Sequence, residues 1–296
     1  MTVEDGIAAL SFWSGPVSIA PLSGGITNRN FIVDDPGRGR FVVRLGDDIP
    51  VHHISRENEL AAARAAEAAG LSPAVRFSAP GMLVMDYVPA RALTPEDVRA
   101  PGMLERIVPL IRRCHRTIPT HFRGPARIFW VFHVIRDYAA ELAAAGSPHA
   151  PLLADLLSAA DRLEAAAGPH EIVFGHNDLL AANLLDDGAR LWLIDWDYAG
   201  FNTPLFDLGG LASNNELDEA DERRMLALYH ERPVDDALWT RYQAMKCASL
   251  LRETMWSMIS ETHSTIDFDY AAYTAENLAR FARAFDAFSG LQRTPA

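Results

Sequence analysis

Ile172 to Gly209 reads IVFGHNDLLAANLLDDGARLWLIDWDYAGFNTPLFDLG, and its punctuation decides the fold. Ile172-Val173-Phe174 is a short β-favouring run that Gly175 breaks, so His176-Asn177-Asp178 falls in a loop. Leu184-Leu185, the Asp186-Asp187-Gly188 turn and Leu191-Trp192-Leu193-Ile194 predict a β-hairpin. Asp178 precedes the hairpin, Asp195 follows it and Asn183 lies between them. A hairpin brings the chain back to where it started, so these three groups are expected to converge. Such a set suits phosphoryl transfer. Mg²⁺ on nucleotide phosphates takes few protein ligands, all oxygens, and Asn183 and Asp195 are of that type. The attacking hydroxyl needs an acceptor for its proton, a role open to Asp178. Each carboxylate alone could equally cap a turn. Two carboxylates and an amide in order around a hairpin are much harder to obtain by chance.

His176, Asp178 and Asn183 form H-x-D-x-x-x-x-N, and IDWDYAG follows at Ile194–Gly200. Protein kinases divide the same labour between H-R-D-x-x-x-x-N and D-F-G. HNDLLAANLL, LIDWDYAG and FDLG together resemble the aminoglycoside phosphotransferase and choline/ethanolamine kinase families, the choline kinases most of all. The resemblance spans Ser23 to Tyr273. It implies an α+β, protein-kinase-like fold in two lobes. Residues 1–88 would be a small antiparallel nucleotide-binding lobe, and 89–296 a mostly helical lobe for catalysis and substrate. It also implies ATP and Mg²⁺ as cofactors, with His176, Asp178, Asn183 and Asp195 in the catalytic set and Asn183 and Asp195 on the metal. Asp207 is expected to brace the loop of His176 and Asp178 from a helix start.

Upstream, Val17–Leu22, Thr27–Val33 and Arg40–Leu45 read as three strands joined by turns. SGGITNRNF, between the first two, is by itself an ordinary glycine hairpin. The family resemblance makes Ser23, Gly24, Gly25, Thr27 and Asn28 a phosphate-covering loop. Arg44 stands where protein kinases place a lysine, and its guanidinium can clasp phosphate. Ser55–Ala69 reads as a helix with Ser55 as N-cap and Gly70 at its end. The family pairs the basic strand residue with a glutamate here, so Glu59 is expected at Arg44, with Glu57 the alternative. Ala74–Phe77 and Gly81–Val88 read as two more strands. Met85, Asp86, Tyr87 and Val88 are then the expected adenine contact at the hinge, although a buried edge strand has the same pattern.

From Thr94 the pattern is helical: Leu104–Thr117, Phe129–Tyr138, Leu152–Ala167 and residues 221–288. WSMI…STIDFDYAAY resembles the choline kinase C-terminus, where aromatic rings box a quaternary ammonium by cation–π attraction. Trp256, Tyr273 and Tyr198 are expected to surround such a head, with Asp197 adding negative charge. Glu253 departs from the pattern, since many of these kinases carry a tryptophan there. It either weakens the cage or offers a carboxylate to a primary ammonium. Without the resemblance, aromatics at this spacing would read as core.

The bulk composition agrees with a soluble enzyme. In 296 residues, 49% are hydrophobic and 22% charged. The net charge of −12 leaves no basic footprint for nucleic acid. Two distant cysteines suggest neither disulfide nor zinc site. No apolar run spans a bilayer and the acidic start lacks a secretion signal, so a cytoplasmic enzyme is the expectation. The expected reaction is phosphorylation of the choline hydroxyl by ATP. Ethanolamine, thiamine, an aminoglycoside or another small hydroxylated acceptor is the alternative, and a catalytically dead binding module is the non-enzymatic one.

Overall fold

The computed structural model describes residues 2–22 and 28–292. Ser23, Gly24, Gly25 and Thr27 of the expected phosphate loop lie outside the described residues. The chain opens with helix α1 (Val3–Ala8), which Thr2 and Asp5 start through a reciprocal capping box. Strands β1 (Ser18–Leu22), β2 (Arg29–Asp35) and β3 (Gly39–Leu45) follow, then α2 (Arg56–Ala68), β4 (Val75–Ala79) and β5 (Met82–Asp86). The strands form one five-stranded sheet in the order β1-β2-β3-β5-β4, antiparallel throughout.

The two-residue period of β3 explains both faces of the sheet. Phe41 and Val43 point one way, into a small core with Phe31, Val33, Val84, Ile7 and Trp13. Arg44 points the other way and is also buried. On that side α2 presents Ala62, Ala63, Ala65 and Ala66, which join the larger core with α4 (below) rather than the small one. Ser55 is the N-cap of α2 but makes no side-chain cap bond. The Arg56 amide donates instead to Asp48 Oδ1 at 2.7 Å.

Beyond the sheet come β6 (Arg91–Ala92), α3 (Pro95–Arg99), α4 (Leu104–His121), α5 (Val131–Ala144) and α6 (Leu153–Ala167). Next is β7 (Val173–Gly175), then the predicted hairpin as β8 (Leu184–Asp186) and β9 (Leu191–Leu193), then β10 (Gly200–Asn202). β10 pairs with β7 and closes this stretch on itself. Helix α7 (Pro204–Asn214) follows. The region read as helical over 221–288 is three helices: α8 (Glu219–His230), α9 (Asp236–His263) and α10 (Tyr270–Leu291). α9 is the axis of this part, buried on most sides, with α5, α6, α7 and α10 packed on it. At Gly209 the backbones of α7 and α9 nearly touch: a Cβ there would lie 2.8 Å from Lys246 Cα. Among the described residues no helix is long and apolar enough to cross a membrane.

Candidate active site

Asp207, in the first turn of α7, holds the loop that carries Asp178. Its Oδ2 accepts the His176 amide at 2.8 Å and its Oδ1 the Asn177 amide at 2.7 Å. His115 Nε2 meets Oδ2 at 2.9 Å, while His115 Nδ1 meets the Tyr229 hydroxyl at 2.7 Å. Gly175 makes room for this approach, since a Cβ there would sit 2.6 Å from Asn177 Oδ1 and 3.3 Å from Asp207 Oδ2. Burial pushes Asp207 up, but the His115 bond, nearby histidines and the loop amides leave it below the ordinary carboxylate value. Asn177 adopts φ 65° and donates from Nδ2 to the Tyr198 carbonyl at 2.9 Å. It therefore ties the loop to the strand that leaves the hairpin.

His176, expected in the catalytic set, is held firmly by the fold. It is completely buried, its Nε2 donates to the Ile194 carbonyl at 2.9 Å and its ring lies 4.8 Å from Trp196. Burial lowers its pKa, so the ring stays neutral. Asp178 is half-buried. Its carboxyl is pushed up to about 8, first by burial; Arg252 opposes the rise and Asp195, Glu253 and Asp197 add to it. Asn183 donates from Nδ2 to the Asp178 carbonyl at 3.0 Å, and its own carbonyl accepts the Ile194 amide at 3.0 Å. The hairpin register pairs Leu184 with Leu193, which sets Asn183 beside Ile194 and one residue from Asp195. Asp195 adopts φ 70°, a left-handed turn at the strand exit.

Arg44 lies at the centre of a clasp between the sheet and the hairpin. Its Nη2 is 2.8 Å from Asp195 and 2.7 Å from Asp197, and its Nε is 3.1 Å from Glu59. Glu59 rather than the exposed Glu57 is thus the carboxylate at Arg44. Arg56, which the sequence reading passed over, bridges the same acids at 2.7 Å to Asp197 and 2.8 Å to Glu59. Its signal was the three-residue spacing to Glu59 on one helix. Asn28 completes the clasp by donating to Asp197 Oδ2 at 3.0 Å. Burial pushes Asp195 up, but Arg44 holds it low and therefore ionised. Asp197 is buried under these donors, so it anchors the clasp rather than standing free to meet a substrate.

Among the described residues no three His, Cys, Asp or Glu side chains gather as a metal cage. Mg²⁺ needs no such cage beside nucleotide phosphates, and the hard oxygens of Asn183 and Asp195 fit it. At the expected hinge, β5 contains Met85 and Asp86 and leads into Tyr87 and Val88. The Tyr87 amide donates to the Arg40 carbonyl at 3.2 Å and the Asp86 amide to Ala74 at 2.9 Å. The Asp86 side chain turns out to Arg76, at 2.6 Å.

The aromatic set is brought together but is engaged internally. Trp256 Nε1 donates to the Tyr198 hydroxyl at 2.9 Å, and the Trp256 ring stacks on His52 at 4.9 Å. The Tyr273 hydroxyl donates to Glu253 Oε1 at 2.8 Å. Arg252 lays its guanidinium over the Tyr198 ring at 4.4 Å and donates from Nη1 to Glu253 Oε2 at 2.8 Å. The rings are thus not an open box. Arg252 is the second residue that sequence reading missed. Its four-residue spacing from Trp256 already placed both on one face of α9. Asp178, Asn177, Ser249, Arg252 and Glu253 share one narrow crevice.

The sequence model of the phosphotransferase enzyme family matches residues 18–245. The chain belongs to that family. Mouse ethanolamine kinase 2 is 26% identical, over 90% of this chain and 76% of its own. A choline/ethanolamine kinase family protein from Mesorhizobium loti is 28% identical, with a TM-score of 0.75, over 100% of this chain and 96% of its own. LicA in complex with AMP superposes with a TM-score of 0.74 at 20% identity, over 98% of this chain and 97% of its own. The protein is therefore a small-molecule kinase, a phosphotransferase with an alcohol group as acceptor, built on the protein-kinase-like α+β fold.

Proposed function

We propose that this kinase transfers the γ-phosphoryl group of ATP to the hydroxyl of a small amino alcohol. The observation that carries the reading is Asp178. It sits at the crevice shared with Arg252 and Glu253, and its carboxyl is raised to about 8. A carboxylate of that basicity is matched to taking a proton from an alcohol near neutral pH. Asn183 and Asp195 would hold Mg²⁺, which when bound neutralises phosphate charge. Arg44, braced by Glu59, would meet the phosphates together with the loop around Asn28. Adenine would lie against Met85–Val88, between residues 1–88 and 89–296. The AMP held by LicA supports nucleotide use. ATP in the cytoplasm would supply the phosphoryl group.

Within the amino alcohols, the geometry favours a head that can hydrogen-bond over a trimethylated one. A quaternary ammonium binds by lying against open aromatic faces. Here Tyr198 is covered by Arg252 and Trp256 by His52. Glu253 offers a carboxylate instead, already oriented by Tyr273 on one oxygen and Arg252 on the other. The test is ADP release with Mg·ATP across primary amino alcohols, choline, thiamine, kanamycin and no acceptor. Primary amino alcohols should exceed choline by at least about tenfold in kcat/KM, about 1.4 kcal/mol of discrimination. A choline preference would reverse this order and restore the aromatic cage. Nucleotide binding without turnover on any acceptor would leave a binding module.

A further inference from the structure

Arg252 is buried to 4% exposure, and only one part of its guanidinium is used. Nη1 donates to Glu253, while Nε and Nη2 are shielded from solvent and donate to nothing among the described residues. Nε and Nη2 form one straight edge of the planar fork, and that edge matches the two oxygens of a carboxylate. The protein uses this edge elsewhere in that way. Arg40 donates from Nε and Nη2 to the two oxygens of Asp34 at 2.6 and 3.0 Å, and Arg76 does the same to Asp86 at 2.8 and 2.6 Å. In Arg252 the same edge meets no acceptor among the described residues.

The rest of the guanidinium is fixed. One face lies over Tyr198 at 4.4 Å, with Phe129 at 5.8 Å, and Glu253 is itself held by the Tyr273 hydroxyl. Arg252 therefore cannot easily turn away, and it lines the crevice that Asp178 also lines. A buried charged donor left without an acceptor is unfavourable, and a ligand that satisfies it gains correspondingly. A cationic head set against the Nε/Nη2 edge itself would meet a fixed positive charge.

We propose that the acceptor carries a carboxylate besides its hydroxyl, and that the free Nε/Nη2 edge of Arg252 receives it. Arg252 is then a specificity-determining residue. The substrate class is a small hydroxylated amino acid: its hydroxyl faces Asp178 and its ammonium faces Glu253. This rests on the amino-alcohol reading above and narrows it.

The experiment uses acceptor twins that differ only by the carboxylate: ethanolamine against serine, and 3-amino-1-propanol against homoserine. The whole chain is assayed as wild type, Arg252→Lys and Arg252→Leu, with Mg·ATP affinity and Tm measured alongside. In wild type the carboxylate-bearing member of at least one pair should lead in kcat/KM by about 100-fold or more, because its absence leaves buried donors unpaired. Arg252→Leu should bring that ratio to within about threefold with Mg·ATP affinity unchanged, and Arg252→Lys, which keeps the charge without the fork, should retain part of it. Carboxylate-free twins that match or lead in wild type overturn the proposal and leave the amino-alcohol reading standing. An equal ratio in wild type and Arg252→Leu also overturns it. Turnover of neither member of either pair overturns both. The wild-type ratio decides the matter even where a variant fails to fold.

Discussion

The loop residues Asn177, Asp178 and Leu179 with the α7 residues Phe206 and Asp207, and Arg252 and Glu253 of α9, line the same crevice, but the two sides are held in different ways. In the first, backbone and side chains lock each other. Asp207 takes two loop amides, Asn177 bridges to Tyr198, and Asn177 and Asp195 sit in left-handed conformations that the surroundings must maintain. In the second, α9 to His263 and α10 from Tyr270 are ordinary helix, and the groups near the crevice are held by side chains alone: Arg252 on Glu253, Tyr273 on Glu253, Trp256 on Tyr198. On the reading proposed above, the locked loop fixes which reaction occurs. A helix face can change what is bound by exchanging one side chain, with no cost to the backbone.

The sharpest test of that division is Asp178→Asn. It should lower kcat about 10²- to 10⁴-fold, the range of a positioned general base, by the same factor for every acceptor while ATP still binds. Near-normal turnover, or a loss confined to one acceptor, would break the distinction between the two regions. Arg44→Ala should come next. It leaves Glu59, Asp195 and Asp197 facing one another, and urea unfolding should register a loss of about 3–5 kcal/mol. A loss below about 1 kcal/mol would mean that Arg56 alone sustains the clasp.

Asp207→Asn tests the lock itself and has a pH signature. The folded-state pKa of Asp207 is depressed, so its contribution is present above the unfolded value of about 3.9 and is lost as pH falls through the folded value. At neutral pH the variant should be about 1–3 kcal/mol less stable, and the gap should close on acidification. A gap that is constant with pH would make the role of Asp207 one of shape alone. The smallest effect is expected at the exposed Glu57, which stands outside the clasp. Glu57→Ala should stay within about 0.5 kcal/mol of wild type in Tm-derived stability, while Glu59→Ala should not. Equal effects would undo the assignment of Glu59 to Arg44.

The sequence by itself determined the strand, loop and hairpin order around Asp178, Asn183 and Asp195. It also determined the three strands over Val17–Leu22, Thr27–Val33 and Arg40–Leu45 and the helix that carries Glu59. These are local matters: turn residues, two- and 3.6-residue periods, and a hairpin that can only return to its own start. Only the tertiary structure decided that Glu59 rather than Glu57 meets Arg44, that Arg56 shares the clasp, and that the Asp48 carboxylate rather than Ser55 caps α2. It likewise decided that Arg252 covers the ring of Tyr198. Each of these contacts joins groups that the chain separates, by 54 residues between Arg252 and Tyr198 and by 141 between Arg56 and Asp197. No local spacing encodes such a meeting. It follows from how α9 and the sheet meet the Asp195–Tyr198 stretch that follows the hairpin, where buried charges must find partners once water is gone.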